Sequence, residues 1–502
     1  MAGALTWILA AMSWQNLLAG FLGVVLGVIF GALPGFTAAM GVAVLMPFTF
    51  GLSPTTGLML LAGIFCGAIY GGSISAILIG TPGTPSAAAT VIDGFEMARK
   101  GQAADALREA IVASYIGGTF SAICLAFIAP PLARFALKFG PPEYLLLAIF
   151  GLTIIASIAA KSLLKGIIAG VLGLILGAVG MDPLLAYPRW TFGIPSLVSG
   201  VGLVPALIGL FSIPQVLSMV GDPETRIKEY SGKVSGRRWP TFKELKEFSP
   251  IYLRSSLIGL FIGALPGAGG SIAAFLGYNE AKRFSKHPEK FGTGIREGVA
   301  AAEAANNAVT GGALITMLTL GVPGDSVTAI MMGALLVHGL RPGNELFTAS
   351  AHVIYPFLVG LIIVNLMMLL VGIYAAPYAA RVTKTPVSML APIIVALCVM
   401  GAYAVNNDIM DVWVMLFFGV VGYLLKCGGY ITIPIVLGVI LGPILESNLT
   451  RLLTITQGQN ILMYVLSRPI SVVLLLMIIA SLAWPVIQLR SVTARRIAEV
   501  AD

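Results

Sequence analysis

Residues 31–35 read GALPG, and residues 263–267 read GALPG again. Each copy closes a long apolar run. Proline lacks an amide hydrogen and crowds the preceding turn, and glycine frees the backbone, so each copy is expected to stop a helix. The surroundings decide what such a stop means. Of 502 residues, 58% are hydrophobic and 10% are charged. Mean hydropathy is +0.95. A chain this apolar cannot present a polar exterior to water. Runs such as 144–160 and 472–489 reach bilayer-spanning length. They do not alternate in polarity as membrane strands do. The expectation is therefore an all-α polytopic membrane protein with roughly 11–12 transmembrane segments. In such a protein GALPG breaks a helix at membrane depth.

The two copies belong to a larger repetition. Residues 71–86, GGSISAILIGTPGTPS, match 311–326, GGALITMLTLGVPGDS, with one inserted residue. LKFGPPEYLL at 137–146 faces VTKTPVSML at 382–390, and LVPALI at 203–208 faces LGPILE at 441–446. Four matches in one order define two repeats, residues 14–220 and 250–462. A cytoplasmic linker, 221–250, and an extra C-terminal transmembrane helix, 463–489, complete the predicted organisation.

Charge sets the predicted orientation. The net charge is +8, and the basic residues sit between apolar runs, which argues for topology rather than nucleic acid. With the N-terminus outside, the inner segments 93–108, 160–166, 221–250, 279–297, 376–386, 425–430 and the tail from 490 hold 23 Lys and Arg. The outer loops hold five: Arg134, Lys138, Arg189, Arg341 and Arg451. The loop after the first GALPG then lies outside and the loop after the second inside, so the repeats are expected to be inverted, with broken or re-entrant helices. The N-terminal stretch MAGALTWILAAMSW has no basic region and is not read as a cleaved signal. Cys66, Cys124, Cys398 and Cys427 form no metal-type pair and receive no role.

Broken backbone at membrane depth survives where protein buries it or a wet cavity receives it. Pro34 suits the first position of a new half-helix, which would leave the amides of Gly35, Phe36 and Thr37 unpaired. Gly267, Ala268, Gly269, Gly270 and Ser271 are expected to do the same after the second break. G-x-P-G at 80–83 and 321–324 adds two more helix starts, with Gly83 and Gly324 allowing close approach. Free amides and the positive end of the helix dipole suit an anion. Thr81, Thr84, Ser86 and Ser326 add hydroxyls. Four such starts predict a site for a ligand with more than one carboxylate.

Carboxylates inside a membrane are costly and mark proton or cation paths. Asp325 follows V-P-G where the first repeat has Thr84, and is the candidate position for a bound Na⁺. Glu303, Asn306 and Asn307, in AAAEAANNAVTGG, join it as candidate cation-coupling residues. No other cofactor is expected; the coupling ion is Na⁺ or H⁺. Glu446 is read as lying at a membrane surface.

GALPGFTAAMGVAVLMPFTFGLSP, YGGSISAILIGTPGTPSAAATVIDGFEMARKG, GALPGAGGSIAAFLGYNEAKRFSKHPEKFG and LGVPGDSVTAIMMGALLVHGLRPG resemble the large permease subunit of the tripartite tricarboxylate transporters. The resemblance covers nearly the whole chain. It implies a multi-pass protein of the bacterial inner membrane that imports di- and tricarboxylates, citrate-like or related organic acids, coupled to a cation gradient. It also implies two partners, a small four-helix membrane subunit and a periplasmic solute-binding protein. An enzyme is the first rival class, but G-x-x-x-x-G-K-[ST], H-E-x-x-H and G-x-S-x-G are all missing from the sequence. An ATP-driven permease subunit is the second rival and a carboxylate channel the third. The paired breaks favour a gradient-driven carrier over both.

Overall fold

The computed structural model describes residues 2–33, 35–159, 163–182, 187–221, 237, 239–382, 387–457 and 460–483. Pro34, most of the linker and the tail from 484, including the end of the expected last helix, lie outside these residues. The helices in chain order are α1 (Ala2–Ala11), α2 (Trp14–Ala32), α3 (Ala38–Leu45), α4 (Pro54–Ile79), α5 (Ala88–Arg99), α6 (Ala103–Phe135), α7 (Pro141–Ala159), α8 (Leu163–Gly177), α9 (Leu203–Gly221), α10 (Phe242–Ala264), α11 (Gly269–Phe284), α12 (Arg296–Leu320), α13 (Ser326–Val337), α14 (Asn344–Thr348), α15 (Ala351–Val382), α16 (Val387–Asn406), α17 (Ile409–Cys427), α18 (Ile433–Thr456) and α19 (Ile461–Leu466). A shorter apolar helix, Pro469–Ala483, follows. Sheet among the described residues is one antiparallel ladder, β1 (Gly180–Met181) on β2 (Pro188–Arg189). Eight of the described helices are long and apolar enough to cross a membrane. The protein is an all-α polytopic membrane protein, as its composition predicts.

The chain forms two compact units. One contains Met1–Arg134 and Val204–Tyr423, the other Phe135–Leu203 and Leu424–Asp502. In the first unit, α2 lies on α4 through glycines spaced by about one turn on both helices. A Cβ on Gly23, Gly27 or Gly31 would lie 2.2, 2.5 or 2.1 Å from the carbonyls of Leu60, Ile64 and Ala68. Gly63, Gly67 and Gly71 meet α2 in the same way. With no side chain between them the backbones touch, which gives the dispersion contact that joins helices in lipid. The pair α10 and α12 is built alike: Cβ atoms on Gly259, Gly263 and Gly312 would lie 2.1, 2.6 and 2.3 Å from the carbonyls of Ala305, Val309 and Leu260. α4 is buried along its whole apolar stretch. It starts on Pro54 with Ser53 as N-cap and stops on Gly80 in the left-handed conformation, φ +70. α12 stops the same way on Gly321, also at φ +70.

The second unit repeats the device once. Gly173 of α8 sits on the Ile435 carbonyl of α18, and Gly438 sits on the Gly170 carbonyl. Two of its acidic groups are held by arginines. The buried Glu143 accepts from the Gly140 amide, Arg468 Nε and the Ser471 hydroxyl. Arg189 on β2 holds Glu446 with two nitrogens and also reaches Asp182.

Candidate functional site

The two GALPG breaks have nearly the same backbone. Leu33 follows α2 in an extended conformation, φ −79 and ψ 117, and its amide donates to the Phe30 carbonyl. Leu265 follows α10 at φ −85 and ψ 119, and its amide donates to Ile262. Gly35 and Gly267 then turn left-handed, φ +85 and +78. Each break receives the G-x-P-G turn of its own half. A Cβ on Gly83 would fall 1.9 Å from the Gly31 carbonyl, and one on Gly324 would fall 2.3 Å from the Gly263 carbonyl. The Gly83 amide donates to Gly72, and the Gly267 amide donates to Gly324 at 2.7 Å. Gly83 and Gly324 thus press on backbone within the fold.

The sequence treats four helix starts as equal, with free amides at each. The structure separates them. Phe36 and Ala268 donate to Leu33 and Leu265, so their amides, like that of Gly267, are paired inside the fold. Thr37 caps α3 by accepting from the Met40 amide at 3.1 Å. Asp325 caps α13: its Oδ1 accepts from the Thr328 amide at 2.8 Å and the Thr328 hydroxyl at 2.7 Å. Its own amide donates to that hydroxyl, which closes a capping box. The remaining two starts have no side-chain cap. α11 begins on Ala268 and Gly269 without one, and α5 follows the 3-10 turn Pro85–Ala87 without one.

These two uncapped starts meet. A Cβ on Gly270 would lie 3.0 Å from Ser86 Cβ and 2.5 Å from Asn306 Oδ1. Ser86 shares a hydrogen bond with Thr84, Oγ to Oγ1 at 3.2 Å. Asn306 is fully buried on α12, and neither its amide nitrogen nor its oxygen has a hydrogen-bond partner. A buried primary amide with both ends unsatisfied costs about 1–3 kcal/mol for each group, and in native structures such a group calls for an explanation. Of the remaining sequence candidates, Ser271 and Ser326 are half-buried in the first turns of α11 and α13, and Thr81 is exposed. Gly35 is exposed, and Gln215 donates to its carbonyl. Phe36 packs its ring on Phe30.

Glu303 lies one turn before Asn306 and is also fully buried. Thr90 of α5 donates to its Oε1, and Ser114 of α6 donates to its Oε2 at 2.9 Å. Ser73 faces the same carboxyl from α4 without closing a bond to it. Asn307 donates to Ser114 at 2.8 Å, and its oxygen has no partner. Among the described residues no group of three or more His, Cys, Asp or Glu is placed to hold a metal ion.

Two buried clusters do not stand out in the sequence. Asp93 on α5 accepts at Oδ1 from the amides of Gly292, Gly294 and Ile295, and at Oδ2 from Tyr278. It ties α5 and α11, the two helices that start at Ser86 and Gly270, to the chain entering α12. Beside it Arg296 binds Glu109 at 2.7 Å and Glu244 at 2.9 Å, while Tyr252 donates to Glu109 at 2.6 Å. The Thr241 amide and hydroxyl, with Arg296 and Arg108, pull the Glu244 carboxyl down to about 2 against the cost of its burial. From sequence both clusters count only as loop charge. Their signal, one Asp and one Arg beside glycine-rich turns, is visible only once the partners are known.

The fold and these breaks define a multi-pass membrane protein built on interrupted helices. The family comparison gives the class its name: residues 17–437 match the model of the tripartite tricarboxylate transporter TctA family, and the chain belongs to that family. It is a membrane transport protein. Two proteins of Agrobacterium vitis are similar to it. The "uncharacterized 52.8 kDa protein in TAR-I ttuC' 3'region" is 37% identical over 465 residues, 93% of this chain and 92% of the relative. The "uncharacterized protein in TAR-II ttuC' 3'region" is 35% identical over 201 residues, 40% of this chain and 83% of the relative. No solved structure matches the chain.

Proposed function

We propose that the chain is the large subunit of a secondary carrier in the bacterial inner membrane that imports di- or tricarboxylates coupled to a cation gradient. A periplasmic binding protein delivers the substrate, and a small membrane subunit completes the carrier. The two halves are inverted in the membrane, as the distribution of basic residues favours. The observation that carries the reading is Asn306, buried and unsatisfied where the starts of α5 and α11 converge. A carboxylate there would accept from the Asn306 amide, from Ser86 and from the first-turn amides of α11, with both helix dipoles favouring its charge. The absence of a side chain at Gly270 lets Asn306 and Ser86 come up against the first turn of α11. Thr84 holds Ser86 in place.

The test is counterflow with the purified chain, alone and with its membrane partner, in proteoliposomes loaded with unlabelled citrate, succinate or malonate. Uptake of the labelled acid driven by exchange, without ATP, is the expected result. No exchange of any of the three in either preparation contradicts the reading. Flux that neither saturates nor shows counterflow would favour a channel, and flux that requires ATP an ATP-driven permease.

A further inference from the structure

We propose that Glu303 is the group that carries the coupling proton, with the hydroxyls of Thr90 and Ser114 turning to match its charged and neutral forms. The inference rests on the transport reading and deepens it. Glu303 has no cationic side chain paired with it among the described residues, although it is fully buried. Two further deeply buried carboxylates differ. Glu109 is held by Arg296 and Tyr252, and Glu143 by Arg468. A lone buried carboxylate is costly, and a protein keeps one in a membrane where the charge is used.

The kind of partner separates Glu303 from Asp93. Asp93 accepts from three backbone amides, donors that cannot reverse, and from one hydroxyl, that of Tyr278. Glu303 accepts from two hydroxyls, and a hydroxyl both donates and accepts. When a proton from one aqueous face joins the Glu303 carboxylate, the carboxylic O–H can donate to Thr90 Oγ1 or Ser114 Oγ, whose own hydrogen turns away. When the proton leaves for the opposite face, both hydroxyls turn back to donate. The pocket thus holds both forms without moving its backbone. Asp325, the acid at the second G-x-P-G break, has its Oδ1 committed to capping α13.

Placement links this group to the substrate. Thr90 lies one turn along from Ser86, and Glu303 one turn before Asn306. A carboxylate at Ser86, Gly270 and Asn306 therefore sits one helical turn from Glu303 along two separate paths. A negative substrate favours the protonated form of a nearby acid, so the two binding events assist each other. The titratable groups around Glu303 are few. Tyr70 of α4 faces it with its hydroxyl unpartnered, and Cys66, one turn earlier, lies beside Thr310. From α5 comes Asp93 and from α6 Glu109, both occupied as described. From α10 and α11 come Tyr252 and Tyr278, bonded to those same carboxylates. Asp325 follows the turn that packs on Ala313, ten residues further along α12, and Arg296 at the start of α12 is paired with Glu109 and Glu244.

The experiment compares wild-type protein, Glu303→Gln and Asp325→Asn in proteoliposomes, using whichever of citrate, succinate or malonate the wild type exchanges. Accumulation is read against an imposed pH gradient and, separately, an imposed Na⁺ gradient. The expected result is loss of pH-driven accumulation in Glu303→Gln, with counterflow still measurable but no longer varying with pH. Asp325→Asn should keep its pH-driven accumulation. If Glu303→Gln does not fold, Thr90→Val and Ser114→Ala serve instead, and each should shift the midpoint of the pH dependence. The proposal is overturned if accumulation follows Na⁺ alone, if Glu303→Gln keeps the wild-type pH dependence, or if Asp325→Asn is the variant that loses it. A wild type that exchanges no carboxylate removes the transport reading itself, a failure seen before any variant is measured.

Discussion

The region α2–α3–α4 and the region α10–α11–α12 stop and restart the chain with the same backbone, then use the restart differently. In the first half the start after GALPG is capped by Thr37, and α3 runs only eight residues. In the second half the start after GALPG has no side-chain cap, and α11 runs sixteen. At the G-x-P-G turns the roles exchange: α5 begins uncapped in the first half, and Asp325 caps α13 in the second. Each half thus commits one helix start to its own stability and leaves one open. The open start of one half meets the open start of its counterpart beside Asn306. The glycine scaffold is repeated, while the capping is not, and in the proposed reading the capping selects where the carboxylate binds.

The orientation of the halves gives the largest test of this comparison, because its outcome is all or none. In a background without native cysteines, Leu52→Cys should react with a membrane-impermeant thiol reagent from the periplasm, and Lys286→Cys only from the cytoplasm. Reaction of both from one side would remove the inversion while leaving the matched backbones in place.

Next in size are the glycines that seat each G-x-P-G turn on its break. Gly83→Val and Gly324→Val place a side chain on the Gly31 and Gly263 carbonyls, where a Cβ alone would fall at 1.9 and 2.3 Å. Backbone cannot step aside as a side-chain tip can. Both variants should exceed the usual overpacking cost of about 1–3 kcal/mol and yield little monodisperse protein in detergent. At Gly35 the nearest atoms are side-chain ends of Met219 and Gln215, at 3.5 and 3.6 Å. Gly35→Ala should therefore cost only its left-handed backbone, about 1–2 kcal/mol, and remain folded. Equal yields for all three would mean that the turns and breaks are not seated as described.

The smallest effect belongs to the caps. Thr37→Ala and Asp325→Ala each remove a side-chain acceptor from a first-turn amide and should each lower stability by about 1 kcal/mol, read as a lower melting temperature in detergent. Ser86→Ala should leave the melting temperature unchanged, since Ser86 caps nothing. A fall as large for Ser86 as for Thr37 and Asp325 would erase the distinction between capped and open starts.

Much of this architecture is legible in the sequence because it rests on local rules. GALPG and G-x-P-G stop helices wherever they occur, and their recurrence marks the repeat. Thr37 and Asp325 are also legible as caps, since both residue types favour that position and Asp325 has Thr328 three residues on. The sequence equally allows them to be ligand or cation groups, because polarity near a break has two explanations; the bond to the first-turn amide is visible only in the structure. Asn306 and Asn307 stand side by side in sequence, yet helix geometry turns them about 100° apart. One meets Gly270 and its neighbour meets Ser114, a difference that depends on which helices pack around α12. The contact of Gly83 with Gly31 joins residues 52 apart and requires the α2–α4 pairing to be known.

The central claim is that the two open starts and Asn306 bind the carboxylate, and saturable counterflow of Asn306→Leu tests it most directly. Leucine keeps the branched outline and removes both unsatisfied polar ends, which offsets the cost of its larger volume, so the account predicts a protein that still folds. Its apparent affinity for the exchanged acid should fall by at least about tenfold, the equivalent of one lost hydrogen bond to a charged group at about 1.5–3 kcal/mol. Gly270→Ala, whose Cβ would fall 2.5 Å from Asn306 Oδ1 and so displace that side chain, should reduce affinity as well. An Asn306→Leu protein that exchanges the acid with wild-type affinity would contradict the account and return these helix starts to the role of packing breaks.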